Sequence, residues 1–151
     1  MKLGHVCEAH VVTTYAEMSL TNAAAEMRRT QVGALVVVEE RSNAQWPVGI
    51  VTDRDIAVAL TTAGLAEPRL VGEVMSPNLI AASEHDDFFD GLTKMRRFGV
   101  RRLPIIALDG RLRGIITLDD VIDVLSAKLR EAASVVPRER RVEARQAAAH
   151  R

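Results

Sequence analysis

The strongest constraint on this chain is that it repeats itself. Residues 6–38 align with residues 74–106 at a constant spacing of 68: Val6 with Val74, Val12 with Ile80, Leu20 with Phe88 and Met27 with Met95. Arg28-Arg29 falls on Arg96-Arg97, Val32 on Val100, Leu35 on Leu103, and Val37-Val38 on Ile105-Ile106. Beyond a loop of unequal length the spacing becomes 65, and Gly49-Ile50-Val51-Thr52 falls on Gly114-Ile115-Ile116-Thr117. An internal repeat fixes the architecture before any single element does, because each copy must bury the same faces. A unit of about 60 residues buries too little surface to be secure alone, so the two copies are expected to pack together.

Each copy reads as β-α-β-β-α. A short extended piece (Val11-Val12; Leu79-Ile80) leads to a helix with apolar residues at helical spacing: Leu20, Ala23, Ala24 and Met27, then Phe88, Leu92 and Met95. A run rich in β-branched residues follows, Ala34 to Val38 and Leu103 to Leu108. Asp109-Gly110 marks a turn of the kind that suits a two-residue hairpin. The returning strands are Val48 to Val51 and Leu112 to Ile116. Helices then open at Asp53-Arg54-Asp55 and Thr117-Leu118-Asp119-Asp120, with Thr52 and Thr117 as N-caps. The expected fold is mixed α/β, two such repeats packed through their sheets with pseudo-twofold symmetry. The boundaries are 1–65 for the first repeat, 66–130 for the second and 131–151 for a basic tail, helical or disordered.

Composition excludes several functions. Lys+Arg and Asp+Glu number 20 each, and the chain has one Trp, one Tyr and three Phe, which argues against a basic, stacking nucleic-acid groove. The apolar runs have strand length, short of the ~20 residues of a bilayer span. No signal peptide is visible and Cys7 is the single cysteine, so a cytoplasmic chain is expected. His5, His10, His85 and His150 have no ligand spacing with Cys7, so no metal is expected. Cys7 lacks a histidine partner and reads as a packed thiol rather than a nucleophile. Glu84-His85-Asp86-Asp87 reads as a helix start. From Ser126 onward there are seven Lys+Arg against three Asp+Glu. The closing helix, Asp120 to Ala133 with Val121, Val124, Leu125 and Leu129 inward, is expected to break at Pro137.

The chemistry sits at the repeated strand ends. Each copy places a hydroxyl (Thr52, Thr117) at the end of a strand and a carboxylate (Asp55, Asp120) three residues later, in the first turn of a helix. A helix start offers unpaired N–H groups to a phosphate, and an aspartate can accept from a ribose diol. The plainer reading is that Thr caps the helix and Asp favours its dipole. Its recurrence in both halves favours a binding role.

The segments "VGALVVV…PVGIVTDRDIA", "VMSP" and "FGVRRLPII…DGRLRGIITLDDVIDVL" resemble the tandem cystathionine-β-synthase (CBS) domain family over roughly residues 5–130. The resemblance implies a Bateman module: a non-enzymatic sensor without a cofactor that binds AMP, ADP, ATP or S-adenosylmethionine between paired repeats. It also implies homodimers, with the output read by an effector protein. Family sites carry over crosswise. One cleft would combine Thr52, Arg54 and Asp55 with Ile80, Val100, Arg101 and Arg102; the other, Thr117, Asp119 and Asp120 with Val12, Val32, Gly33 and Ala34. Arg101 and Arg102 are the cations best placed for ligand phosphates; a solvated strand edge or a dimer contact is their other reading. The first repeat has Cys7-Glu8-Ala9 where the second has Met75-Ser76-Pro77, and Gly33-Ala34 where the second has Arg101-Arg102. The two clefts are therefore expected to be unequal. A scaffold whose clefts hold no ligand is the rival reading.

Overall fold

The computed structural model describes residues 1–63 and 69–135. Among the described residues the fold is mixed α/β, with four α-helices and two three-stranded sheets ordered β1-β2-β3 and β4-β5-β6. The chain divides into a compact unit from Met1 to Ile116 and a second that starts at Thr117.

The first sheet holds β1 (Thr13–Thr14), β2 (Ala34–Arg41) and β3 (Ala44–Thr52). β1 runs parallel to β2, and β3 returns antiparallel. Four successive residues of β2, Leu35 to Val38, are buried, as a central strand covered on both faces requires. Pro47 stands where the register slips between Val37 and Val38, on an edge strand that tolerates a missing N–H. Helix α1 (Leu20–Thr30) is capped by Ser19, which accepts from Asn22 N, and buries Leu20, Ala23 and Met27. Ala24, expected on the same stripe, is exposed. Helix α2 (Asp53–Ala63) buries Ile56 and Ala59 in the same core.

The second sheet follows the same plan with β4 (Ala82–Ser83), β5 (Arg102–Ile106) and β6 (Leu112–Thr117), and helix α3 (Phe88–Phe98) buries Phe88, Gly91 and Met95. The first strand of each copy lies two to three residues beyond the apolar pairs expected from sequence. The Val12 carbonyl still accepts from Val36 N at 3.2 Å.

The hairpin turns differ from expectation. The two-residue turn is Ser42-Asn43, with φ of 51° and 59°, between the paired residues Arg41 and Ala44. Both angles are positive, as a type I′ turn needs. At Asp109-Gly110 the loop has three residues: Ala107 N donates to Arg111 O, Gly110 N donates to Ala107 O, and Gly110 adopts φ +87°. This is a type I turn closed by a left-handed glycine.

The short segment ahead of each β1 and β4 is exchanged between the copies. Leu3 N donates to Asp86 O and Gly4 N to Glu84 O, so residues 1–8 lie on the second repeat. The twin bonds run from Val71 N to Met18 O and from Gly72 N to Ala16 O, so residues 70–76 lie on the first. Val71 belongs to the first repeat's core, while Leu3, 1% exposed, packs on Gly91. Each segment then crosses the last strand of its host: Glu8 with Ile115, Ser76 with Ile50. The glycines of the repeated strand motif permit this crossing. A Cβ on Gly49 would lie 2.7 Å from Met75 Sδ, and one on Gly114 would lie 2.7 Å from both Cys7 Sγ and Glu8 O. The link expected over Ala66 to Pro77 is described from residue 69 onward, and Ala66 to Pro68 lie outside the described residues.

The second unit opens with helix α4 (Leu118–Ala133). Val121 is 2% exposed, but Leu129 is 71% exposed, so the inward stripe expected from sequence stops a turn early. Pro137 and the rest of the basic tail lie outside the described residues.

Candidate functional site

At the end of β3, Thr52 and Asp55 close a reciprocal cap. Asp55 N donates to Thr52 Oγ1 at 3.2 Å, while Thr52 N and Thr52 Oγ1 donate to Asp55 Oδ2 at 2.9 and 2.7 Å. Two otherwise unpaired N–H groups are thereby satisfied, the arrangement of a capping box with aspartate in the acidic position. The equivalent cap in the second unit has Asp120 N donating to Thr117 Oγ1 at 3.2 Å, and Thr117 N and Oγ1 donating to Asp120 Oδ2, both at 2.7 Å. The plain role weighed for these residues is thus real in both copies. It turns both carboxylates back towards the strand end and engages Oδ2, not Oδ1.

This cap forms one wall of a cleft of about 520 Å³. Thr52, Arg54 and Asp55 line it from the α2 side; Val100, Arg101 and Arg102 line it from the start of β5. Gly99, the left-handed end of α3 with φ +66°, turns the chain into that second wall. Six of the seven residues expected in this cleft therefore meet; Ile80 is not among those lining it. Ile50, Asp53 and Ser76 also line it and had not been expected. Ser76 arrives on the exchanged segment, whose N–H donates to Ile50 O at 2.9 Å. Three guanidinium groups (Arg54, Arg101, Arg102) and two carboxylates (Asp53, Asp55) line the cleft.

The residues expected in the other cleft are placed as follows. Val32 and Gly33 line a separate hollow of about 460 Å³ with Asp53 and Ile56. Val12 and Ala34 flank and open the first sheet, Ala34 pairing with Thr52. Thr117, Asp119 and Asp120 open α4 in the second unit. The space beside Gly33 is taken by Arg102 and Asp53, whose side-chain atoms would lie 3.0 and 3.2 Å from a Cβ there.

Cys7 is half-buried against Gly114, and burial pushes its thiol above the ordinary value, outweighing the pull of Arg113. Among the described residues, no three His, Cys, Asp or Glu side chains gather as a metal site, and no helix is long and apolar enough to cross a membrane.

The chain belongs to the CBS domain family, which it matches twice, over residues 3–62 and 71–127. It is 29% identical over 125 residues to the uncharacterized protein MK0525 of Methanopyrus kandleri, covering 82% of this chain and 62% of that one. The fold is shared with the CBS domain pair of protein MJ0100, solved with 5′-methylthioadenosine and S-adenosyl-L-methionine. That likeness has a TM-score of 0.75 and 24% identity, covering 85% of this chain and 98% of that one. The cytosolic domain of the Mg2+ channel MgtE, solved with ATP, is 26% identical with a TM-score of 0.68, covering 82% of this chain and 48% of that one.

Proposed function

We propose that this chain is a regulatory module, not an enzyme, and that it takes an adenosyl ligand in the cleft between the Thr52–Asp55 cap and Val100-Arg101-Arg102. The observation that carries this reading is the convergence of two hydroxyls, two carboxylates and three arginines on one cleft of about 520 Å³, within the usual size range of a small-molecule site. Asp55 Oδ1 accepts from the ribose diol, and Arg101 and Arg102 pair bidentately with the phosphate. Val100 and Ile50 flank the adenine ring. The ATP bound to the related MgtE domain supports the ligand class. Ligand entry alters how the repeats sit in a cytoplasmic homodimer, and an effector protein reads the change. The response is bounded by the ligand's differential affinity, typically ~1–3 kcal/mol.

One observation favours a scaffold without ligand: Thr52 and Asp55 already satisfy one another. Titration calorimetry with adenosine, AMP, ADP, ATP and S-adenosylmethionine decides between the two. Saturable binding that is lost in Asp55→Ala carries the sensor reading; silence across the panel leaves the scaffold.

A further inference from the structure

A further hollow, of about 350 Å³, lies between β1 and α1 on the first repeat, away from the Thr52–Asp55 cleft. Thr13, Thr14, Met18, Asn22, Glu26 and Arg29 line it. The repeat itself supplies the comparison. At the spacing of 68, Thr13 corresponds to Ala81, Met18 to Asp86 and Glu26 to Lys94. In the second repeat the Lys94 ammonium crosses this same place: Nζ donates to Ala81 O at 3.0 Å and lies 3.7 Å from Asp86 Oδ2. The second copy thus fills its crevice with an alkylammonium group of its own.

The first copy cannot. Glu26 stands in place of the lysine, bound along the helix to Arg29. Met18 replaces the carboxylate of Asp86, giving the hollow an apolar floor where the second repeat has a charge. Thr14 replaces Ala82, and its hydroxyl, on a residue 4% exposed, has no hydrogen-bond partner among the described residues, which is a polar demand they leave unmet. In the first copy the main-chain acceptor position recurs at Thr13, the carboxylate of Asp86 is lost to Met18, and a carboxylate, Glu26, stands where the cation was.

We infer that this crevice binds a primary alkylammonium ion from solution, its charged head at the Thr13 main chain and the Glu26 carboxylate and its alkyl stem along Met18 and Ala23. Glu26 accommodates both cations, since a carboxylate offers about four lone-pair sites.

The test is a ¹H–¹⁵N NMR titration of the full chain with n-butylammonium chloride at fixed ionic strength, against n-butanol. Saturable shifts centred on Thr13, Asn22 and Glu26, with little response to butanol, are expected. Glu26→Gln weakens binding about tenfold, the scale of a lost charged hydrogen bond. Glu26→Lys places a lysine where the second repeat has Lys94, abolishes saturation and raises the melting temperature. The inference is overturned by an equal response to butanol, by unchanged saturation in Glu26→Gln and Glu26→Lys, or by no saturable shift in the wild-type chain.

Discussion

The guanidinium of Arg102 stands where a side chain at position 33 would go: a Cβ on Gly33 falls 3.0 Å from Arg102 Nη2 and 3.2 Å from Asp53 Oδ2. Arg102 and Asp53 also line the Thr52–Asp55 cleft, so the start of β2 and the cleft wall share one cation. Gly33→Ala displaces the flexible end of Arg102 rather than backbone. It should cost under about 1 kcal/mol in urea unfolding while changing nucleotide affinity several-fold. An affinity equal to wild type would show that Arg102 does not meet the ligand.

The two strand glycines should respond differently. A Cβ at Gly114 meets the Glu8 carbonyl at 2.7 Å, whereas at Gly49 the closest atom is the movable Met75 Sδ and the carbonyl of Ser76 is 3.0 Å away. Gly114→Ala is expected to destabilise by about 1–3 kcal/mol, the range of overpacking, and Gly49→Ala by less. Chemical denaturation of both variants checks the order.

On the proposed reading, phosphate recognition should separate from nucleoside recognition. Arg101→Ala and Arg102→Ala should each weaken ATP about tenfold or more, as charged hydrogen bonds do, and leave adenosine nearly unchanged. Binding of ATP should also weaken with added salt, since partly exposed charges are screened. Equal losses for adenosine and ATP would place the arginines in a structural role.

Cys7 gives a pH signature. Burial holds its thiol above the ordinary value of 9.0, so the folded chain keeps this proton more firmly than the unfolded one. The contribution is complete below pH 9.0, the unfolded value, and is lost as pH rises through the higher folded value. Cys7→Ser should flatten the fall in stability at alkaline pH, and Cys7 should react with a disulfide reagent at pH 8 more slowly in the folded chain than in urea. Equal rates would contradict a packed thiol.

Much of this was legible in the chain because the physics is local. The β-branched runs fall in β2 and β5, and the Thr–x–x–Asp spacing writes a capping box wherever a helix begins. The cleft of Thr52, Arg54, Asp55, Val100, Arg101 and Arg102 came from a resemblance, since no spacing along one segment says which distant wall faces it. Ser42-Asn43 was missed because neither residue is glycine, although asparagine tolerates positive φ. Leu129 was misjudged because helical periodicity continues past the point where anything covers the helix. The exchange of segments left no local trace: the alignment of Leu3 with Val71 equates the two residues without saying which sheet receives each.

That exchange has a consequence for how such a chain is put together. Half of it, made by itself, would hold out an arm whose socket belongs to somebody else, so its first stable form is a mutual clasp of two identical halves. The tandem chain is that clasp with a tether added. Cutting the peptide chain between residues 64 and 68 should leave the halves held together through Leu3 and Val71, travelling as one particle until a denaturant pulls the arms out.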